Sequence, residues 1–344
     1  MKKTSLIVSL LIVFTIALTA CAPKADTVAV EESGFRVAYL TDLGGLAGSD
    51  EVKGFSDLGW DAALQAVDEL GIEAVVLEAN ELADLEPNLV KMAEEGYDLL
   101  VCGGFLFSDA VSAVAPLYPD TMFAVIDGYA SGDNVQNIGF ASNEGSFLVG
   151  ALAAGMTETG TIAFIGGMEG PLIEAFEAGY IAGARAINPD IEVLSGYTGS
   201  FTDVAAGKEL ALAQYAQGGD VNYAAAGACV FGAIEAAEEN GFYAIGVDTD
   251  MDHLAPNNVL SSMLKHVQVG TFITIKQAFE GNFQPGFITY TLADGTIGYT
   301  KSAEMASVVP AELYAAVDAL ADKINAGEIV VPVTVAEANV FTLE

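Results

Sequence analysis

Three carboxylates fall within five positions of the stretch AIGVDTDMDHLAPNNVLSSMLKH (244–266), directly after an apolar run. They are Asp248, Asp250 and Asp252, and Lys265 follows thirteen residues beyond the last. Acids so spaced suit a metal loop, acid–base catalysis, or a clamp on hydroxyl groups. A calcium loop of EF-hand type begun at Asp248 needs glycine at its sixth position and glutamate at its twelfth. His253 and Val259 stand there instead. The only histidines are His253 and His266, and Cys21, Cys102 and Cys229 lie in unrelated segments, so histidine and cysteine assemble no metal cluster. The turn after the first apolar run reads DLGGLAG and the turn at 166–170 reads GGMEG; neither is the GxGxxG of a dinucleotide fold, and no GxSxG or GxxxxGK(S/T) occurs. No enzymatic activity, metal or cofactor is expected. A carboxylate accepts two hydrogen bonds from a vicinal diol, while a nearby lysine donates to the same hydroxyls and neutralises the buried charge. Asp248 and Lys265, at the ends of adjacent strands, suit a ribose. Phe55, Phe105, Phe201 and Phe231, near strand ends, could sandwich a planar base.

These residues need elements to carry them, and a strand–helix rhythm supplies them. RVAYL (36–40), EAVVLEA (73–79), DLLVCGG (98–104) and MFAVIDG (122–128) read as buried strands, separated by helical spacing over 55–70, 84–95 and 107–117. Continuous Val/Ile/Leu runs alternating with helices indicate parallel strands covered on both faces. The rhythm restarts with a helix at 144–156 and strands TIAFIGG (161–167), IEVLSGY (191–197), VNYAAAG (221–227) and YAIGVD (243–248), with helices at 171–187, 203–216 and 231–240. VLSSMLK (259–265) follows. FITYTLADGTIGYT (287–300) reads as a hairpin turning at Asp294-Gly295, and a last helix spans 310–326. The expected fold class is α/β: two doubly wound parallel-sheet lobes joined by three crossings near 140, 255 and 285. The N-terminal lobe takes 35–140 plus about 262–285; the C-terminal lobe takes about 141–260 plus 286–344. In such sheets ligands bind beyond the carboxyl ends of the strands, which selects Asp42, Asp109, the stretch Gly196–Asp203, Gly227 and Asp248.

The chain begins MKKTSLIVSLLIVFTIALTA, two lysines and an uncharged apolar core, the pattern of a secretory signal over 1–20. Leu18-Thr19-Ala20-Cys21 resembles the lipobox of bacterial lipoproteins, which implies cleavage before Cys21 and a diacylglycerol on its thiol. Residues 21–34 then form a lipidated tether, small, polar and acidic. Without residues 1–20 the chain keeps 10 basic and 47 acidic residues, a net charge of −37. Such a surface repels nucleic acid and anionic headgroups. No second apolar run approaches the roughly 20 residues of a spanning helix, so the lipid is the expected membrane anchor. Cys102 and Cys229 each end an apolar strand in different halves and are expected as buried thiols.

The segments GFSDLGWDAAL (54–64), CGGFLFSDAV (102–111), GSFTD (199–203), AIGVDTDMDHLAP (244–256) and VLSSMLKHV (259–267) occur in this order. So arranged, they resemble the basic membrane protein family, lipoproteins similar to the purine nucleoside receptor of spirochaetes, over roughly 35–300. The resemblance implies a type I periplasmic-binding-protein fold and capture of a nucleoside, purine favoured, for delivery to the permease and ATPase subunits of an ABC importer. It implies an extracytoplasmic, lipid-anchored monomer. It further implies that Asp42 and Asp109 bond the base or ribose, that Phe55 stacks on the base opposite Phe201 or Phe231, and that Asp248 and Lys265 hold the ribose hydroxyls. The family pattern is altered at Ser56, over 46–53, at 228–231 and at Asp250-Met251, all near the expected pocket. Another small solute (a sugar, an amino acid, a signalling molecule) or a sensory module are the competing expectations.

Overall fold

The first lobe is laid down strand by strand. This computed structural model describes residues 34–46 and 53–343; the signal, Cys21 and the tether up to residue 33 lie outside the described residues, as does the altered segment 47–52. The chain runs β1 (Arg36–Thr41), α1 (Phe55–Leu70), β2 (Glu73–Glu78), α2 (Leu85–Glu94), β3 (Leu99–Gly103), α3 (Ser108–Val114), β4 (Met122–Ile126) and β5 (Val135–Phe140). It then crosses to the second lobe with α4 (Ser142–Met156), β6 (Thr161–Gly166), α5 (Pro171–Ile187), β7 (Glu192–Tyr197), α6 (Val204–Tyr215), β8 (Val221–Ala225), α7 (Cys229–Asn240), β9 (Tyr243–Asp248) and β10 (Val259–Lys265). It returns for α8 (Val267–Phe279) and β11 (Gly286–Tyr290), and crosses a third time to β12 (Ile297–Tyr299), α9 (Ala311–Asn325) and α10 (Val335–Ala338).

Each lobe holds a six-stranded sheet, in the orders β11-β5-β4-β3-β1-β2 and β12-β10-β9-β8-β6-β7. Counted within each lobe, the two orders are the same, so β4 and β9 are equivalent strands. Pairing is parallel except where β12 runs antiparallel to β10. The inner strands are apolar on both faces and buried, as in Leu99–Gly103 and Thr161–Gly166, because helices cover both sides of each sheet. Cys102 and Cys229 are both buried, unpaired thiols, as expected.

α4 and α5 approach unusually closely. A Cβ added at Gly150 would sit 2.1 Å from the Tyr180 carbonyl oxygen, at Gly179 2.1 Å from that of Asn143, and at Gly183 1.8 Å from that of Phe147. Backbone therefore meets backbone there, and only glycine fits.

The three crossings lie side by side near 141, 266 and 291. The Ala141 N–H donates to the Tyr290 carbonyl at 2.8 Å, the His266 N–H to the Thr296 carbonyl at 2.7 Å, and the Leu292 N–H to the Glu144 carboxylate at 2.8 Å. These positions correct two expectations. The stretch 287–300 is no hairpin: Gly286–Tyr290 pairs in parallel with β5 in the first sheet, while Ile297–Tyr299 joins the second. The Asp294-Gly295 turn forms, with Gly295 at φ 71°, but its two arms leave for different lobes. Likewise β10 with Lys265 belongs to the second sheet, so the first lobe's return segment is 267–290 rather than about 262–285.

Candidate ligand-binding site

The carboxyl ends of both sheets face a shared cavity of about 190 Å³, far above the roughly 10–15 Å³ that one water needs. Asp42 follows β1, and its Oδ1 accepts the Gly44 N–H at 3.1 Å. Gly104 follows β3 with φ 120°, and a Cβ there would lie 2.2 Å from Asp42 Oδ2. Glycine is thus what lets that carboxylate turn into the cavity. Burial raises the Asp42 pKa to about 6, opposed by the Gly44 N–H. Phe55 opens α1, where Gly54 donates to the Asp57 carboxylate at 2.9 Å and fixes the start of the helix.

From the second lobe, Phe176 on α5, Phe201 after β7 and Phe231 on α7 complete an aromatic wall. Phe105 of the first lobe meets Phe201 of the second edge-to-face, ring centres 6.0 Å apart. Asp248 ends β9 and Lys265 ends β10, and both are buried. The Lys265 ammonium donates to Asp127, which follows β4 in the other lobe. It also stands 5.0 Å from the ring centre of Phe55, 5.3 Å from that of Phe140 and 5.5 Å from that of Phe176, within reach of cation–π attraction to all three. Burial raises the Asp248 pKa to about 6; Lys265 pulls it down and Asp127 pushes it up.

The three acids of DTDMD have separate tasks. Asp248 faces the cavity. Asp250 accepts the Asp252 N–H at 3.0 Å and shapes the loop. Asp252 is buried beneath it and accepts from Thr300 at 3.2 Å and Ser262 at 3.4 Å, tying the loop to β10 and the chain after β12. Burial, then Asp250, raises its pKa to about 6.

The matching comparisons accord with this arrangement. Residues 42–334 match the family described as ABC transporter substrate-binding protein PnrA-like. The chain belongs to that family. Basic membrane protein A1 of Borrelia garinii subsp. bavariensis is 36% identical over 335 residues, covering 94% of this chain and 95% of the other. The ABC transporter nucleoside-binding protein BmpA of Lactococcus lactis subsp. cremoris is 32% identical over 325 residues, covering 86% and 91%. Among solved structures, an ABC transporter solute-binding protein from Aeropyrum pernix K1 superposes with a TM-score of 0.79 at 28% identity, covering 87% of this chain and 94% of that one. As a member of that family, this chain is a solute-binding component of an ABC transporter with the periplasmic-binding fold, and not an enzyme.

Of the residues selected from the sequence, Asp42, Phe55, Phe201, Phe231, Asp248 and Lys265 line the one cavity. Asp109 does not. Ser108 is buried, accepting the Tyr129 N–H and donating to the Phe105 carbonyl, and the next residue round α3 turns outward. Asp109 is exposed on a separate open groove with Leu82, Leu106 and Tyr129. The partner of Lys265 is also corrected: its hydrogen bond goes to Asp127, with Asp248 a neighbouring charge. Asp127 had a visible signal, an apolar run ending in Asp at the same strand position as YAIGVD in the second half. Phe176 had none, since an aromatic on an apolar helix reads as core.

Proposed function

We propose that this protein captures a nucleoside, purine favoured, between its lobes and hands it to the permease and ATPase of an ABC importer. The observation that carries this reading is the composition of the cavity. Aromatic rings from both lobes form its walls, and a buried lysine set among carboxylates closes one end. Rings suit a planar base by stacking; carboxylates and an ammonium suit the hydroxyls of a ribose. The Lactococcus relative named as nucleoside-binding supports the same class. In this reading Phe55 stacks on the base opposite Phe201 or Phe231, Asp42 bonds the base, and Asp248 with Lys265 holds the sugar. Asp109 sits apart and has no such role.

The protein acts outside the cytoplasm, carried there by the signal and held by lipid on Cys21. Among the described residues no helix is long and apolar enough to cross a membrane. Melting the protein against inosine, adenosine, guanosine, cytidine, glucose and leucine tests the ligand class. A ligand at 100 times its dissociation constant adds about 2.7 kcal/mol. A stabilisation by nucleosides alone supports the reading; a response confined to glucose or leucine overturns it.

A further inference from the structure

Asp109 and its neighbours take no part in the ligand cavity, yet they line a second feature. An open groove of about 850 Å³ lies on the first lobe, beyond the carboxyl ends of β2, β3 and β4. Much of its wall is apolar, with Leu82 53% and Tyr129 57% exposed beside Val90 and Leu106. Glu86 and Asp109 add two exposed carboxylates. Phe105 lines both this groove and the ligand cavity.

Two chain segments build the side of the groove nearest the cleft, and both also touch the second lobe. Phe105 meets Phe201 edge-to-face, ring centres 6.0 Å apart. Tyr129 comes two residues after Asp127, which accepts a hydrogen bond from the Lys265 ammonium. One hydroxyl ties the two segments together: Ser108 Oγ donates to the Phe105 carbonyl at 2.7 Å and accepts the Tyr129 N–H at 3.0 Å. Closure of the lobes therefore fixes this wall at two linked points. When the lobes part, Phe105 and the turn at 127–129 lose their partners across the cleft, and the wall is released. A partner tells two states apart only through contacts that differ between them.

We propose that the importer's permease docks in this groove and reads through it whether the lobes are closed. The occupant is a permease segment carrying an apolar side chain beside a lysine or arginine. The apolar side chain suits the groove's wall and the cation suits Glu86 and Asp109, an apolar centre with a charged rim. A second copy of this chain fits poorly, because without residues 1–20 each carries a net charge of −37 and the two repel. Ser108 is a positioning residue that joins the groove to the closing contacts. The inference rests on delivery to an importer, as proposed above, and not on which solute is delivered.

The test is binding of the full chain to the permease–ATPase complex in nanodiscs, titrated with and without inosine, with inosine affinity measured separately by calorimetry. Leu82→Asp and Asp109→Lys, both at exposed positions, are expected to weaken binding to the complex at least tenfold while inosine affinity stays within twofold. Ser108→Ala is expected to shrink the effect of inosine on binding to the complex. Unchanged binding in Leu82→Asp and Asp109→Lys overturns the groove as the docking site. Should Leu82→Asp fail to fold, Asp109→Lys decides. An undiminished inosine effect in Ser108→Ala overturns the coupling to closure. If the two groove variants instead abolish self-association seen by sedimentation and still bind the complex, the groove belongs to a second copy and the proposal falls. A wild-type chain that binds the complex but not inosine removes the nucleoside reading alone, and the groove variants still decide the docking site. A wild-type chain that binds the complex in neither condition overturns delivery and groove together.

Discussion

Asp248 holds a carboxylate that its surroundings would rather keep neutral. Its pKa is 3.8 in an unstructured chain and about 6 in the fold, with burial as the main cause. Below about pH 4 it is protonated in both states and makes no difference to stability. As the pH rises from 4 to 6 the folded state must bury the charge, so stability falls and stays lowered above 6. Asp248→Asn should therefore stabilise the ligand-free protein at pH 7 by at most about 3 kcal/mol, seen as a higher melting temperature, with the gain gone near pH 4. The same change should weaken nucleoside binding tenfold or more, about 1.4 kcal/mol. Melts of both proteins at the two pH values, with one titration each, check this. Lys265→Met should act in the opposite sense. It leaves Asp127 and Asp248 buried without their cation and should cost about 3–5 kcal/mol, measured by urea unfolding. The cavity residues Asp42, Asp248 and Lys265 were legible in the sequence because they follow apolar strands, and parallel sheets bind ligands there. Asp127 carried the same signal, an apolar run ending in Asp, but its Asp-Gly pair reads as a turn, and the equivalence of β4 and β9 is what shows that it mirrors Asp248.

At the scale of elements, the strands and most helices were legible from apolar runs and spacing, since each buried strand must be apolar on both faces. Pairing partners were not. Asp294-Gly295 makes its turn, yet local sequence cannot say that the arms on either side belong to sheets in different lobes. The contact of α4 with α5 was equally silent, because glycine in an apolar helix looks like a weakness until its neighbour is known. Gly183→Ala should push α5 off the Phe147 carbonyl and destabilise by about 3 kcal/mol, as overpacking does, seen as a lowered denaturation midpoint. Gly104→Ala should have a local effect. It meets both the φ of 120° and Asp42 Oδ2, so ligand affinity should fall several-fold while the fold persists.

The whole molecule is drawn closed. Thr249 Oγ1 of the second lobe donates to the Lys53 carbonyl of the first at 3.0 Å, Phe105 touches Phe201, and Lys265 pairs with Asp127. Three adjacent crossings allow the lobes to part about a hinge, and all three of these contacts break when they do. Ligand should therefore lower the radius of gyration measured by small-angle X-ray scattering. Two lobes could be read from the restarting rhythm, whereas their division at 141, 266 and 291 needed the sheets. The most direct measurement is calorimetric titration of the full chain with inosine, hypoxanthine and ribose in turn. The expected result is one inosine bound per chain, with hypoxanthine and ribose each at least a hundredfold weaker, since the rings hold the base and the charged end holds the sugar. Ribose binding as tightly as inosine, or no heat from inosine at all, would contradict a nucleoside site.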